Sequence, residues 1–242
     1  MPKWGSTDEV ARDTFYLSKT LHICIGVAVW EYSSTFDYEW DVFRGKRRYL
    51  WSIWVYSGCR LAMLLCFLLL VVQQNGWLTQ HCTAFYIAAL GSSYVSLGLA
   101  SLLIVLRTVA VWERRKSVMF IAYSVWVVSV AFNIRDLTFL RAYFSPDYQS
   151  CIAYDTHEFV LNTAGILGSD ALLLLLMLIG ILRMREARRF GIARFLFRQG
   201  VVWLALAMLV EVPVLAFAVL HLNDPLTSIL QPIEVVSLSV MS

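Results

Sequence analysis

Residues 159–184 read FVLNTAGILGSDALLLLLMLIGILRM, an apolar run whose only charged side chains are Asp170 near its middle and Arg183 near its end. A helix needs about 20 such residues to cross the hydrocarbon core of a bilayer, which is about 30 Å thick. A run of this length with one internal charge predicts a transmembrane helix.

The whole chain has the composition of an integral membrane protein. Of its 242 residues, 59% are hydrophobic and 15% are charged, whereas an ordinary soluble domain is about a quarter charged. We predict an all-α seven-transmembrane-helix bundle, a single domain over residues 1–242, with spans at 15–36, 50–72, 82–111, 118–134, 159–184, 200–222 and 226–241. The first span is the weakest, because Lys19, His22 and Glu31 interrupt it.

The distribution of basic residues predicts the orientation. Fourteen Lys and Arg residues fall in the first, third and fifth connections or at the span ends beside them, against five in and beside the amino-terminal segment and the alternate connections. Cytoplasmic loops retain basic residues during insertion. We therefore expect the amino terminus outside and the carboxyl terminus in the cytosol, in the plasma membrane or another membrane of the secretory pathway.

Two of the five cysteines are candidates for a disulfide. Cys82 begins the third span on the predicted outer side, and Cys151 lies in the long outer loop between spans four and five. Two unrelated free thiols are the alternative. The bridge is favoured because only these two cysteines lie on the oxidising side of the membrane.

Ionisable residues within the spans form a predicted polar cluster near the midplane. Arg60, Asp170, Glu211 and Glu234 share a depth in helices two, five, six and seven, and Glu31 lies nearer the inner end of helix one. Such residues are costly in a membrane and are ligand, proton or ion candidates by default. The alternative is structural: Arg60 pairs with one acid to fix helix packing, and the other acids are protonated or reach water.

Two prolines lie beside these acids. Pro213 follows Glu211 by two residues and Pro232 precedes Glu234 by two. Proline removes a backbone hydrogen bond, so both positions are candidate helix breaks. Proline is also simply tolerated in membrane helices, which is the plainer explanation.

Small residues mark one face of the third span: Ala89, Ser93, Ser96 and Ala100 recur at helical spacing. Small side chains let neighbouring helices approach closely. We expect this helix at the centre of the bundle.

Motifs for catalysis, cofactors and metals are missing from the sequence. It contains no Gly-rich phosphate loop, GxSxG elbow or HExxH pattern, and the four histidines show no convergent spacing. The net charge of +3 is too small to indicate nucleic-acid binding. We predict a protein that is not an enzyme and has no cofactor, no metal and no nucleic-acid partner.

The predicted inner loops are basic, with Arg114, Arg115 and Lys116 after the third span and Arg185, Arg188 and Arg189 after the fifth. In the second group, arginines alternate with aromatic and aliphatic residues, which makes an amphipathic surface. It offers a contact for a cytosolic partner, although anionic lipid is the more common occupant of such a surface.

Four segments carry a resemblance to a known family: Thr35-Phe36-Asp37-Tyr38-Glu39 as a turn ending helix one, the tryptophan-rich loop into helix two with Arg60, Leu106-Arg107 with the basic turn after helix three, and Phe197-Arg198-Gln199-Gly200-Val201-Val202-Trp203 opening helix six. Through them the chain resembles the multi-pass membrane proteins of mushroom-forming fungi that carry a domain of unknown function at their amino end. The resemblance covers most of the chain and implies a seven-helix, receptor-like bundle of unknown ligand.

Three functions remain open from the sequence. The first is a receptor or sensor, in which an outer small ligand or ion biases the bundle and the basic inner loops report the change. The second is a proton- or cation-coupled secondary transporter, favoured by the midplane acids and the prolines. The third is a structural or lipid-organising membrane protein without a ligand.

Overall fold

The structure is a computed structural model that describes residues 7–45, 51–74, 82–139, 141–145, 150–154 and 159–183. Beyond these, it describes positions 209, 212, 213, 216, 230, 232, 233 and 235–237. The elements in chain order are α1 (Thr7–Phe43), α2 (Trp51–Gln74), α3 (Cys82–Val111), α4 (Lys116–Phe139), β1 (Arg141–Ser145), β2 (Ser150–Tyr154) and α5 (Phe159–Arg183).

Four of the described helices are long and apolar enough to cross a membrane, over Trp51–Val72, Cys82–Val111, Lys116–Phe139 and Asn162–Gly180. Each holds about the number of residues that a bilayer core requires. The chain therefore has the helices of a multi-pass membrane protein. Span three has the predicted bounds, and the helices of spans two and five lie within two residues of theirs.

The helices carry apolar residues outside and polar residues inside. On α4, Phe120 is 76% exposed, whereas Asp136 is 5% exposed. Ser129 and Asn133 share the buried face of α4 with Asp136. This arrangement is the reverse of a soluble helix, and it is expected where hydrocarbon surrounds the bundle and polar groups must find partners within it.

The first helix is longer than predicted, and the predicted turn at Thr35–Glu39 was wrong. These residues lie within α1, which continues to Phe43. No glycine or proline occurs between Val27 and Arg44 to stop the helix. The chain leaves α1 at Gly45, whose φ of 71° is the left-handed conformation that commonly ends a helix.

The connection between α4 and α5 contains a β-hairpin, so the all-α prediction was incomplete. β1 pairs antiparallel with β2, with Arg141 opposite Tyr154 and Phe144 opposite Cys151. The helix before it ends at Phe139, five residues later than the predicted end of span four. Both strands contact α3, so the hairpin lies at the end of the bundle where α3 begins.

A disulfide also joins this end of the bundle. Cys82 is disulfide-bonded, and Cys24, Cys59 and Cys66 are free. The predicted partner is Cys151 of β2, whose side chain lies outside the described part of the structure, so the pairing stays a prediction. Such a bond would tie the hairpin to the first residue of α3.

The third helix lies between α2, α4 and α5 and contacts all of them. Ser96 is fully buried, and its hydroxyl donates to the carbonyl of Cys59 on α2 at 3.1 Å. On the other side, the indole N–H of Trp126 donates to the carbonyl of Gly98 at 2.8 Å. Ala89 and Ala100 are buried as well, which agrees with the small-residue face.

Contacts between the helices also give their directions. Tyr94 of α3 bonds Asp136 of α4, whereas the later residue Gly98 bonds the earlier residue Trp126, so α3 and α4 are antiparallel. Ser101 of α3 bonds Asp170 of α5, and the later residue Trp112 bonds the later residue Leu176, so α3 and α5 are parallel. The chain therefore passes up and down through the bundle.

Part of the last predicted span belongs to the core. Val235 and Val236 pack with Leu21 and Ala28 of α1 and Met63 of α2. The rest of spans six and seven lies outside the described residues, apart from the isolated positions named above.

The α3–α5 contact depends on a close approach at Gly180. A Cβ added there would lie 2.6 Å from Nε1 of Trp112 and 2.8 Å from Cγ1 of Val111. The indole is held in place, because its N–H donates to the carbonyl of Leu176 at 3.0 Å. Only glycine fits without moving one helix.

We expect Gly180→Ala to lower the free energy of unfolding by about 1–3 kcal/mol, the usual cost of overpacking. Gly168→Ala is the control on the same helix, because a Cβ added at Gly168 meets nothing within 4 Å and alanine favours a helix over glycine by about 1 kcal/mol. SDS titration of the purified protein in mixed micelles measures both. Equal losses in the two variants would contradict the packing argument.

Candidate functional site

Arg60 of α2 is 2% exposed and lies against α1. Its guanidinium forms an ion pair with the carboxylate of Glu31 and donates a hydrogen bond to the hydroxyl of Thr35. It also lies 4.2 Å from the ring centroid of Tyr56, within the range of a cation–π interaction. The α1–α2 contact is therefore built around one buried arginine.

The predicted midplane cluster divides in the structure. Arg60 meets Glu31 of α1, and Asp170 of α5 is bound to α3, as described next. Glu211 and Glu234 lie outside the described residues. Pro213 and Pro232 are at helical positions, the second of them buried, so the structure places the prolines in helix and leaves the acids beside them undescribed.

Asp170 is 1% exposed and accepts a hydrogen bond from the hydroxyl of Ser101 at 2.8 Å. Both residues lie in the parallel α3–α5 contact. A carboxylate buried this deeply in a bundle is costly, and the serine provides part of the solvation that it loses.

A second buried carboxylate, Asp136 of α4, joins three helices. It accepts hydrogen bonds from the hydroxyl of Tyr94 on α3 and from the side-chain N–H of Asn162 on α5, the second at 3.3 Å. Asp136 and Asn162 are each 5% exposed. We call Tyr94, Asn133, Asp136 and Asn162 the Asp136 junction.

Asn133 belongs to this junction because it lies about one helical turn before Asp136 on the same buried face of α4. It is also 5% exposed. The side-chain oxygens of Asn133 and Asn162 are buried and have no hydrogen-bond partner within the described part of the chain.

Sequence reasoning missed the Asp136 junction entirely. It ended span four at Ile134 and assigned Asp136 to the outer loop. The sequence does contain an indication of it, because Ser129, Asn133 and Asp136 have the spacing of one helical face. That face becomes apparent only if the helix is continued past the charged Arg135-Asp136 pair.

The junction and the Ser101–Asp170 contact lie at two levels of one interface. Tyr94 and Ser101 are seven residues apart on α3, and Asn162 and Asp170 are eight apart on α5. At 1.5 Å per residue, the two carboxylates are separated by about 10–12 Å along the helix axis. The junction is the level nearer the hairpin, since Asp136 precedes the end of α4 by three residues.

The opposite end of the bundle is basic. The turn from α3 to α4 takes only Trp112–Arg115, with left-handed φ values of 51° at Glu113 and 58° at Arg114. Arg114, Arg115 and Lys116 are exposed there. Arg183 lies over the ring of Trp112 at 5.8 Å, whereas Arg185, Arg188 and Arg189 lie outside the described residues.

Comparison with known proteins does not identify this site. No protein-family model matches the chain, and no curated protein is significantly similar to it. In the residues that the structure covers, no group of three or more His, Cys, Asp and Glu side chains is placed to hold a metal ion. The chemistry of the site therefore follows from its own groups.

The Arg60–Glu31 pair gives a prediction for stability. We expect Arg60→Met alone to lower the free energy of unfolding by about 2–3 kcal/mol, because it leaves the partly buried Glu31 carboxylate without its cation. The double variant Glu31→Gln/Arg60→Met should lose much less than the two single variants together, since it removes both charges. Unfolding in mixed micelles measures the cycle.

Arg115→Met is the control, since Arg115 is exposed in the α3–α4 turn and its loss should change stability by less than about 0.5 kcal/mol. Strictly additive losses from Glu31→Gln and Arg60→Met would show that the pair is not coupled.

Proposed function

We propose that the protein is a seven-helix membrane receptor or sensor that takes its ligand at the hairpin end of the bundle and reports it at the basic end. The observation that carries the proposal is the Asp136 junction, a buried polar site shared by α3, α4 and α5 beneath the hairpin. Its role is binding, and the proposal includes no catalytic step.

Seven spans require α1 and two helices after α5 to join the four apolar helices. The Arg60–Glu31 pair supports α1 as a span, because it joins α1 to the apolar helix α2. Val235 and Val236 support the last span, since they pack against α1 and α2 in the core. The fungal family named above is also a seven-helix type, and membership of it is part of this proposal.

An outside amino terminus is supported by the two ends of the bundle. The basic residues of the α3–α4 turn lie at one end, and cytoplasmic loops retain basic residues. The disulfide of Cys82 lies at the other end, and disulfides form in the oxidising compartments outside the cytosol. In a bundle whose successive helices alternate in direction, α1 would run parallel to α3, which assigns the amino end of α1 to the hairpin end.

A matched pair of cysteine variants tests this orientation. Arg12 of α1 and Arg115 of the α3–α4 turn are both exposed, and the three free cysteines of the chain are buried. In sealed microsomes, a membrane-impermeant maleimide should label Arg115→Cys at once and Arg12→Cys only after detergent is added. The reverse pattern would place the amino terminus in the cytosol. Labelling of both positions before detergent is added would show that they lie on the same side, which contradicts three membrane crossings between them.

Receptor action requires the ligand site and the basic end to be energetically coupled. The helices α3 and α4 provide a direct connection, because both contribute to the Asp136 junction and both end at the four-residue basic turn. A ligand that changes the α3–α4 contact at the junction would therefore move the residues that face lipid or a cytosolic partner. The distance from Asp136 to Arg115 along α4 is about 30 Å.

We expect Asp136→Asn to shift the emission of an environment-sensitive dye attached at Arg115→Cys, since it weakens the junction without changing its size. Thr138→Ala is the control, because Thr138 is exposed on the same helix and its hydroxyl bonds only its own helix at Arg135. A folded Asp136→Asn protein with an unchanged dye spectrum would show that the two ends are uncoupled. The receptor proposal would then fail.

A proton- or cation-coupled carrier is the second candidate. The specific observation in its favour is that Asp136 and Asp170 lie at successive levels of the same α3–α5 interface. Buried acids in series are typical of ion pathways through membranes. Flux of protons or sodium into liposomes that is lost in both Asp136→Asn and Asp170→Asn would favour the carrier over the receptor.

A further inference from the structure

We propose that a cluster of exposed cations at the basic end of the bundle binds the headgroups of anionic phospholipids. We call this surface the Trp112 patch, and its members are Trp112, Arg114, Arg115, Lys116 and Arg183. The inference goes beyond the receptor function and does not depend on it, because charge attraction acts whether or not a ligand binds at the hairpin end. Three features of the structure support it: the convergence of the cations, the height at which the turn holds them and the apolar surface beside them.

The cations of the Trp112 patch come from the ends of three helices. The turn after α3 supplies two of them, the first residue of α4 supplies the third, and the last residue of α5 supplies the fourth. All four are exposed. The guanidinium of Arg183 lies 5.8 Å from the ring centroid of Trp112, which holds the cation of α5 beside the turn. The one acidic residue of the turn is Glu113, so the patch is strongly positive.

The backbone of the turn holds these cations at the level where the helices end. The amide N–H of Glu113 donates to the carbonyl of Ala110 at 3.1 Å, and that of Arg114 donates to the carbonyl of Val109 at 3.0 Å. These bonds form a Schellman motif, whose left-handed residue is usually glycine. Here Glu113 and Arg114 are both left-handed, at a conformational cost that glycine would avoid. A turn bonded in this way does not extend away from the bundle.

The level of the turn is the surface of the bilayer. The apolar helix α3 ends at Val111 and the apolar helix α4 begins at Lys116, so the turn joins two membrane spans. Trp112 lies between these ends, and tryptophan is enriched at membrane surfaces. Anionic lipids give a leaflet a negative surface potential that attracts basic residues within about 10 Å. The patch therefore reaches lipid headgroups without any change in the bundle.

Exposed apolar side chains continue from the patch into the bilayer. Met119 and Phe120 are exposed in the first turns of α4, and Ile179 and Leu182 are exposed near the end of α5. Cations with apolar side chains beside them match a phospholipid, which has an anionic headgroup above apolar acyl chains. A soluble acidic protein would match only the cations, and it would have to approach them through the headgroup layer. The surface therefore favours lipid over a soluble partner.

Quenching of a fluorophore by brominated lipid tests the proposal on the full chain in nanodiscs. A bimane attached at Ser117→Cys lies next to the patch and leaves its cations in place, since Ser117 is exposed and the three free cysteines are buried. We expect brominated phosphatidylserine to quench it with a relative affinity at least about 5-fold above that of brominated phosphatidylcholine, the effect of one cation near an anionic surface. The same fluorophore at Thr138→Cys, which is exposed near the opposite end of α4, should be quenched equally by both lipids.

Charge variants of opposite sign make the result specific. Arg115→Gln should lower the preference for phosphatidylserine about 5-fold, whereas Glu113→Gln should raise it by a similar factor, because it removes the one negative charge of the turn. Arg12→Gln is the matched control, since Arg12 is an exposed arginine of α1 outside the patch, and it should leave the preference unchanged. Potassium chloride at about 1 M should abolish the preference, because it shortens the screening length to about 3 Å.

Equal quenching of the fluorophore at Ser117→Cys by the two brominated lipids would overturn the proposal and leave the patch to a soluble acidic partner. An unchanged preference in both Arg115→Gln and Glu113→Gln, or a preference that persists at high salt, would also overturn it, because the cations would then not select the lipid. A preference that follows the charge of the patch and is lost at high salt supports the lipid site. The receptor proposal is tested separately by the dye response to Asp136→Asn.

Discussion

Polar side chains buried between these helices need hydrogen-bond partners on other helices, because the hydrocarbon of a bilayer provides neither donors nor acceptors. This constraint explains why α3 is central. Its serines and Tyr94 meet a backbone carbonyl of α2 and the carboxylates of α4 and α5, and each contact joins two segments distant in sequence. Apolar contact alone would not choose these partners, since lipid chains compete equally well for an apolar face.

The amino-acid sequence best predicts the ends of those helices whose bounds depend on the length of an apolar run. The bounds of α3 were predicted without error, and those of α2 and α5 were accurate to within two residues. Errors occurred at the ends of α1 and α4, where polar residues continue a helix. A single sequence shows that Asp136 is charged, which favours a loop. It does not show that Tyr94 and Asn162 donate hydrogen bonds to the carboxylate within the bundle.

The partners of the buried charges were harder to predict than their depth. Counting residues from the end of a span gives the depth of Arg60, but not the rotation of α2 about its axis. That rotation decides whether the guanidinium faces α1 or α5, and the structure turns it towards Glu31. The hairpin was missed because strands of five residues are too short to be distinguished from a loop by their pattern alone.

The parallel contact of α3 with α5 also limits how the bundle can move. Its polar bonds occur at three levels, which are the bonds of Tyr94 and Asn162 to Asp136, the Ser101–Asp170 bond and the bond from the Trp112 indole to the Leu176 carbonyl. Sliding α5 along α3 by one turn, about 5.4 Å, would break all three levels together. Rotation or tilting of α4 disturbs only the level of Asp136. Conformational change in this bundle would therefore proceed by tilting of α4 against a fixed α3–α5 pair rather than by translation of one helix past another.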